Sequence, residues 1–249
     1  MPTTSRVLLD LLARPARHRY GPHRCHRADL LVPHGPGPHP VAVTIHGGYW
    51  RAKYGKVVMK AVAADLVRRG HASWNIEYRR LGRGQGGGWP ATFDDVSAAI
   101  DHLAELDDPR LDLSSVTAVG HSAGGQLALW SAARPGPRVP IRRVVAQAAV
   151  CDLPKAGAVV RALLGGTPHE VPERYAAADP MRLLPLGVPV LLVHGPDDET
   201  VSVGQSRRYV EAARAAGDAP ELVEPAPGGH RTHIDPRSAA WRAAARWFT

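Results

Sequence analysis

A serine stands between two glycines in the stretch Gly120-His121-Ser122-Ala123-Gly124. This stretch follows the β-branched run SSVTAV and precedes the helical pattern QLALWSAAR. A Gly-x-Ser-x-Gly sequence at a strand-to-helix turn is typical of a nucleophilic serine whose hydroxyl stands above a sheet. The helix N-terminus behind the serine would aim backbone N–H groups at developing negative charge. A plain turn that merely needs small residues is the alternative.

Two later loops could supply the base and the acid that a serine nucleophile needs. Asp197 and Asp198 follow the strand-like run VPVLLVHG, and His230 follows the run PELVEP. A serine hydroxyl is activated by an adjacent base that a third group orients. In folds that carry such a turn the order along the chain is serine, acid, histidine, which is the order found here. Either aspartate alone would be expected to be a solvated turn residue.

A third stretch, His46-Gly47-Gly48-Tyr49-Trp50, could stabilise the negative charge of a tetrahedral intermediate. It follows the apolar run PVAVTI, and its glycines allow the backbone to approach a substrate and turn amides towards it. A tight turn is again the alternative for this piece alone. Three such segments, each after a strand and in the required order, predict a serine hydrolase.

Strands and helices alternate along the chain, which predicts an α/β fold with a mainly parallel sheet covered by helices on both faces. The predicted strands are 27–33, 40–45, 72–78, 114–120, 142–150, 188–195 and 220–225. The predicted helices are 57–69, 91–106, 123–134, 204–217 and 236–249. Such sheets bind ligands at the carboxyl ends of their strands, where all three stretches lie.

The length of 249 residues allows one large α/β domain or two small ones, and we expect a single domain over 1–249. We expect 1–40 to be an N-terminal extension with the first strand, and 152–186 to be a small cap segment. The N-terminal apolar run is broken by Asp10 and is followed by arginines, unlike a signal peptide. Two cysteines are too few for a disulfide framework, so a cytoplasmic protein is expected.

The formal net charge of +8 comes from 31 basic and 23 acidic residues. Arginines are scattered and form no basic stripe interleaved with aromatic residues, which argues against nucleic acid as a partner. No apolar stretch approaches the length of a membrane span, so no membrane partner is expected. The expected partner is a small-molecule ester or amide, and the sequence does not indicate an oligomeric state.

These motifs resemble the α/β-hydrolase superfamily, in its His-Gly-Gly branch of small carboxylesterases and kynurenine formamidase-like enzymes. The resemblance spans most of the chain and rests on HGGYWR, NIEYRRLG, GGGWPATFDDV, GHSAGGQLA and the run from VLLVHG to GGH. It implies the α/β-hydrolase fold and catalysis without a cofactor.

Carried over by motif, the resemblance makes Ser122 the nucleophile and His230 the general base. The acid is Asp198 rather than Asp197, because His194, Gly195, Asp198 and Val201 fit the pattern His-Gly-x-x-Asp-x-x-Val. Ser202 departs from the pattern, in which proline usually follows that valine. The oxyanion donors implied are the backbone amides of Gly48, Tyr49 and Ala123.

Two tryptophans, Trp50 and Trp89, lie on loops that flank the expected site and could line a substrate pocket, although packing is an equal alternative. The stretch His230-x-x-His233-x-Asp235 has the look of a metal motif. The triad explains His230 better than a metal does, so no metal is expected.

Three functions fit these residues. The first is hydrolysis of a small ester through an acyl-enzyme, and the second is hydrolysis of an N-formyl arylamine such as N-formylkynurenine by the same triad. The third is an acyltransferase or amide hydrolase in a biosynthetic pathway, or a non-catalytic ligand-binding homologue. The intact triad and oxyanion stretch argue against the non-catalytic alternative.

Overall fold

Eight strands form one sheet in the computed structural model, which describes residues 14–226 and 229–248. The strands are β1 (Ala16–Arg19), β2 (Arg27–Leu31), β3 (His39–Ile45), β4 (Ala72–Ile76), β5 (Leu111–His121), β6 (Arg143–Gln147), β7 (Val190–Val193) and β8 (Glu221–Val223). Their order across the sheet is β1-β2-β4-β3-β5-β6-β7-β8. The pairs from β4 to β8 are parallel, whereas β1 and β2 join antiparallel. The predicted α/β class with a mainly parallel sheet is confirmed.

Helices cover both faces of the sheet. They are α1 (Lys60–Arg68), α2 (Ala91–Asp101), α3 (Ala123–Ala133), α4 (Ala158–Leu164), α5 (Pro172–Ala178), α6 (Gly204–Ala215) and α7 (Ala239–Ala245). Adjacent residues of β5 pack on opposite faces of the sheet. Ala118 belongs to a buried cluster with α2 and α3, and Val119 belongs to a second buried cluster with α1 and α7. Because both faces are buried, the central strands are apolar runs without alternation, which is why they are readily predicted.

The strand order reverses beside β3, and this reversal positions the site. The chain passes from β3 to β4 on one side and then to β5 on the other side of β3. A crevice opens at such a point at the carboxyl ends of the strands. The register places Ile45 of β3 beside Gly120 of β5, so the two glycine-rich stretches that follow these strands are neighbours.

Several element boundaries differ from the prediction. The strand β1 was not predicted, because its sequence ARHR is mostly exposed at the edge of the sheet and shows no apolar pattern. The helix predicted over 57–69 begins with a 3₁₀ turn at Lys56–Met59, and the helix predicted over 91–106 ends as a 3₁₀ turn at His102–Glu105. β5 starts earlier than predicted, at Leu111.

The segment expected to be a cap contains two short helices, α4 and α5, flanked by 3₁₀ turns at Leu153–Lys155 and Pro180–Arg182. Of the expected N-terminal extension, residues 1–13 lie outside the described residues. Within the described part of the chain, no helix is both long enough and apolar enough to cross a membrane.

Candidate active site

Ser122 lies on a strained turn between the end of β5 and the start of α3. Its backbone has φ 56° and ψ −119°, a conformation that a non-glycine residue rarely adopts. The Ser122 N–H donates to the Gln147 carbonyl at 2.8 Å, which ties the turn to β6. The surrounding structure therefore holds the strained serine in place, with its side chain at the carboxyl edge of the sheet.

The glycines on either side allow three pieces of backbone to meet beneath the serine. A Cβ on Gly120 would lie 2.0 Å from the Gly124 carbonyl oxygen, and a Cβ on Gly124 would lie 2.1 Å from the Ile45 carbonyl oxygen. Neither contact is possible for a real side chain, so α3 can pack this closely on β5 and β3 only with glycine at both positions.

His230 and Asp198 form the hydrogen bond expected of a base and its orienting acid. Nδ1 of His230 donates to Oδ2 of Asp198 at 2.7 Å. The other oxygen, Oδ1, accepts from the backbone N–H groups of Thr200 at 2.8 Å and Val201 at 2.9 Å. Asp198 is buried, whereas Asp197 is exposed. The structure thus brings Asp198, and not its neighbour, to the histidine.

The electrostatic surroundings keep Asp198 ionised. Burial by itself would raise the pKa of this carboxyl group. Hydrogen bonds from the imidazoles of His194 and His230 and from the Val201 amide lower the pKa by more than burial raises it. Together they hold the pKa of Asp198 well below its ordinary value. A carboxylate in this state can orient His230 and stabilise a positive charge that develops on its ring.

Ser122 and His230 line one cavity of about 840 Å³, here called the His230 cavity, together with Gly47, Gly48 and Tyr49. Among the described residues no hydrogen bond joins the Ser122 hydroxyl to the His230 ring. Catalytic hydrogen bonds are often long in the absence of substrate and tighten only in the complex. Ser122 and His230 therefore face one space, and Asp198 orients the ring of His230.

Three backbone amides predicted as oxyanion donors are available beside Ser122. The N–H groups of Gly48, Tyr49 and Ala123 donate to no acceptor within residues 14–226 and 229–248. Tyr49 and Trp50 have φ values of 56° and 52°, and these left-handed conformations turn the chain sharply after β3. Ala123 opens α3, where the first amides of a helix have no intrahelical acceptor.

A buried histidine supports the turn after β3, a role that the sequence did not reveal. His46 is fully buried, its Nε2 lies 2.7 Å from Oε1 of Glu77, and its ring stacks on Tyr78 at 4.3 Å. The Tyr78 hydroxyl also donates to the His46 carbonyl at 2.7 Å. Glu77 and Tyr78, which follow β4, therefore hold the loop that carries the amides predicted as oxyanion donors.

Two polar residues at strand ends anchor the 3₁₀ turn His230–Ile234. Nε2 of His121, the last residue of β5, donates to the His230 carbonyl at 2.8 Å. Nε2 of Gln147, the last residue of β6, donates to the His233 carbonyl at 2.7 Å. Burial lowers the pKa of His121 to about 3, so its ring is a neutral donor near neutral pH. Both His121 and Gln147 are polar residues at the end of an apolar strand, and this pattern in the sequence could have identified them.

We expect His121→Phe to lower kcat by about tenfold to a hundredfold, because it leaves the half-buried His230 carbonyl without its donor and loosens the position of the His230 ring. KM should change less than kcat, although His121 also lines the His230 cavity. His121→Gln restores a donor and should recover most of kcat. Steady-state kinetics and thermal melting of both variants check this. Equal losses in the two variants, matched by equal losses of Tm, would show that His121 acts only in packing.

The two tryptophans predicted to line the substrate pocket have different surroundings. Trp50 is 1% exposed and its indole N–H donates to Oε1 of Gln126 at 3.3 Å, yet one part of it lines a second cavity. This second cavity, of about 410 Å³, also reaches Ser122 and is here called the Trp50 cavity. Trp89 packs edge-to-face on Phe93 and lines neither cavity, so its surroundings favour the packing alternative.

The three residues of the metal-like motif, His230, His233 and Asp235, have different surroundings in the structure. His230 hydrogen-bonds Asp198, and His233 is fully buried, which lowers its pKa to about 4. Asp235 forms an ion pair with Arg237 at 3.1 Å. Within the described ranges, no three His, Cys, Asp or Glu side chains are arranged to hold a metal ion.

Comparisons with known proteins point to esterases. The chain is 27% identical to Esterase LipQ of Mycobacterium tuberculosis, over 86% of this chain and 59% of that protein. The chain thus spans about three fifths of the length of this curated relative. That relative is named for ester hydrolysis and not for aryl formamide hydrolysis.

Solved structures share the fold over nearly the whole chain. A truncated carbohydrate esterase from gut microbiota superposes with a TM-score of 0.81 at 20% identity, covering 95% of this chain and 98% of that one. Est2, a thermophilic esterase of Thermogutta terrifontis, superposes with a TM-score of 0.77 at 21% identity, covering 95% and 90%. These likenesses confirm the predicted α/β-hydrolase fold.

A family model described as BD-FAE matches residues 28–212, which is more than half of the chain. The match includes β2 to β7, the Ser122 turn and the loop of Asp198, and it ends within α6. The chain therefore belongs to the BD-FAE family, an esterase family of the α/β-hydrolase fold.

Proposed function

We propose that this protein is a serine esterase that hydrolyses small carboxylic esters through a covalent acyl-enzyme. The observation that carries the proposal is that Ser122, on its strained turn, shares the His230 cavity with a histidine already oriented by Asp198. The family and the named esterase relative support the same reaction. No cofactor is needed, because nucleophile, base, acid and oxyanion donors all come from the chain.

In the first half of the reaction, His230 takes the proton of the Ser122 hydroxyl as its oxygen attacks the ester carbonyl. The carbonyl oxygen becomes negative and receives hydrogen bonds from the amides of Gly48, Tyr49 and Ala123. The imidazolium of His230, stabilised by the Asp198 carboxylate, then gives its proton to the departing alcohol. The product of this half is an ester between Ser122 and the acyl group.

In the second half, water takes the place of the alcohol beside His230. His230 removes a proton from this water, which attacks the acyl carbon, and the oxyanion amides stabilise the second tetrahedral intermediate. Ser122 leaves with a proton from His230, and the carboxylic acid is released.

We propose that one domain carries out this chemistry, with residues 152–186 as a small cap over the site.

Covalent labelling tests the proposal. Diisopropyl fluorophosphate phosphorylates a serine that a neighbouring base activates, and Est2 of Thermogutta terrifontis has been solved phosphoramylated by tabun. We expect one label per chain by intact mass, on the peptide that contains Ser122, and loss of hydrolysis of p-nitrophenyl acetate in parallel. A label on another residue, or full activity after labelling of Ser122, would contradict the proposal.

A further inference from the structure

The His230 cavity and the Trp50 cavity meet at Ser122 but have different linings. Tyr49 and Thr200 line both cavities. Of the described residues, His230 lines only the first, and Ala123 and Trp50 line only the second. A substrate on Ser122 therefore has two distinct spaces, one beside the base and one beside the helix that supplies an oxyanion amide.

The chemistry assigns the two halves of an ester to these spaces. The leaving alcohol must receive a proton from His230, so it lies in the His230 cavity. The acyl group remains bonded to Ser122 while its carbonyl oxygen faces the oxyanion amides, including that of Ala123. The acyl chain therefore extends into the Trp50 cavity.

The walls of the Trp50 cavity combine apolar side chains with two cations. The apolar part suits a short carbon chain, and the cations are Lys155 and Arg208. The apolar side chains are those of Trp50, Val150, Val159 and Val201. A cavity lined by both apolar side chains and cations fits an acyl chain that ends in a negative charge.

One carboxylate serves both cations. Nε of Arg208 lies 3.1 Å and Nζ of Lys155 lies 3.2 Å from the same oxygen, Oδ2 of Asp152. These three side chains carry two positive charges and one negative charge, while the neighbouring Asp179 has its own cation, Arg182, at 3.9 Å. In the described part of the chain, Nη1 and Nη2 of Arg208 donate no hydrogen bond. This pair of donors matches the two oxygens of a carboxylate.

Buried hydrogen bonds join the helix that carries Arg208 to the segment that carries Asp152. Gln205, one turn before Arg208 on α6, is buried, and its Oε1 accepts from the amides of Cys151 at 3.0 Å and Asp152 at 2.7 Å. The segment that carries Asp152 is thereby tied to α6, and Asp152 in turn orients Arg208 through Nε. Lys155 is more exposed and is the weaker partner.

We propose that the enzyme prefers esters whose acyl group ends in a carboxylate, namely monoesters of short dicarboxylic acids, and that Arg208 binds this carboxylate. The proposal rests on the esterase function proposed above. The apolar side chains of the Trp50 cavity cover the methylene groups, and Arg208 receives the charged end. Hydrogen bonds to charged groups are strong enough to raise kcat/KM by about tenfold to a hundredfold over an uncharged acyl group of the same shape.

Monoethyl succinate and ethyl isocaproate test this proposal, because an isopropyl end replaces the carboxylate with nearly the same shape. Ethanol release gives kcat/KM for both esters. We expect wild type to prefer monoethyl succinate, and we expect Arg208→Gln to lower the ratio of the two kcat/KM values by about tenfold or more. Arg208→Lys should keep part of the ratio, since it retains the charge but loses the paired donors.

Arg207→Gln is the matched control, because the Arg207 side chain pairs with Glu224 at 2.7 Å and lines neither cavity. This variant should behave as wild type on both esters. Equal ratios in wild type and Arg208→Gln, or a wild type that favours ethyl isocaproate, would overturn the proposal while leaving the esterase function intact. Ethanol release that persists in Ser122→Ala would instead overturn the esterase function.

Discussion

Ser122→Ala is expected to lower kcat on p-nitrophenyl acetate by about 10⁶-fold, because the acyl-enzyme can no longer form. The residual rate should come from the oxyanion amides and from substrate binding alone. KM should stay close to that of wild type, since the hydroxyl is small and the His230 cavity keeps its other walls. Single-turnover and steady-state rates, measured on carefully separated wild-type and variant preparations, check this.

The structure also predicts how the Ser122→Ala variant differs in stability. Ser122 occupies a left-handed backbone conformation that is strained for alanine as well, so the substitution does not relieve the strain. Tm should therefore change little, and a loss of activity without a loss of Tm separates chemistry from folding. A variant that keeps more than a small fraction of the wild-type rate would show that another residue is the nucleophile.

Asp198→Asn is expected to lower kcat by about 10⁴-fold. The amide that replaces the carboxylate cannot stabilise a positive charge on His230, and its NH₂ group favours the wrong tautomer of the ring. The pKa of Asp198 lies well below its ordinary value, so the group removed is a full negative charge at any working pH. Rates across neutral and alkaline pH, with thermal melting as the check on folding, measure the effect.

Asp197→Asn is the matched control for this prediction. Asp197 precedes Asp198 on the same loop and lines the His230 cavity, but its side chain is exposed and Nδ1 of His230 donates its hydrogen bond to Asp198. The Asp197 variant should keep most of the activity. The reverse outcome, with Asp197→Asn inactive and Asp198→Asn active, would assign the acid to Asp197.

The core of the fold could be predicted from the sequence because local pattern and burial agree there. The strands β3, β5 and β7 lie between two helical layers, so they are apolar runs that stand out in the sequence. β1 could not be predicted, since an exposed edge strand of arginine and histidine has no apolar pattern. β1 joins the sheet by pairing with β2, and no local sequence pattern predicts this contact.

At the candidate site, too, residues in local motifs could be predicted and residues that act through long-range contacts could not. Ser122, His230 and the glycine-rich stretch after β3 could be singled out as candidates because each belongs to a compact motif after a strand. The choice of Asp198 over Asp197 depended on a family spacing, because two adjacent aspartates on one loop are equivalent without coordinates. His121, Gln147 and Arg208 act across long sequence separations, so their roles became visible only when the elements were placed in space.

The loop that carries His230 follows β8, a short strand at one edge of the sheet. β8 has three residues, ends the sheet and pairs only with β7 among the described strands, and its side chains are exposed or half-buried. Opening free energies are lowest where few buried contacts hold an element, so this edge opens long before the central strands. We therefore expect gentle heating to displace the His230 turn before the central strands that carry Ser122 unfold, although His121 and Gln147 tie that turn to β5 and β6.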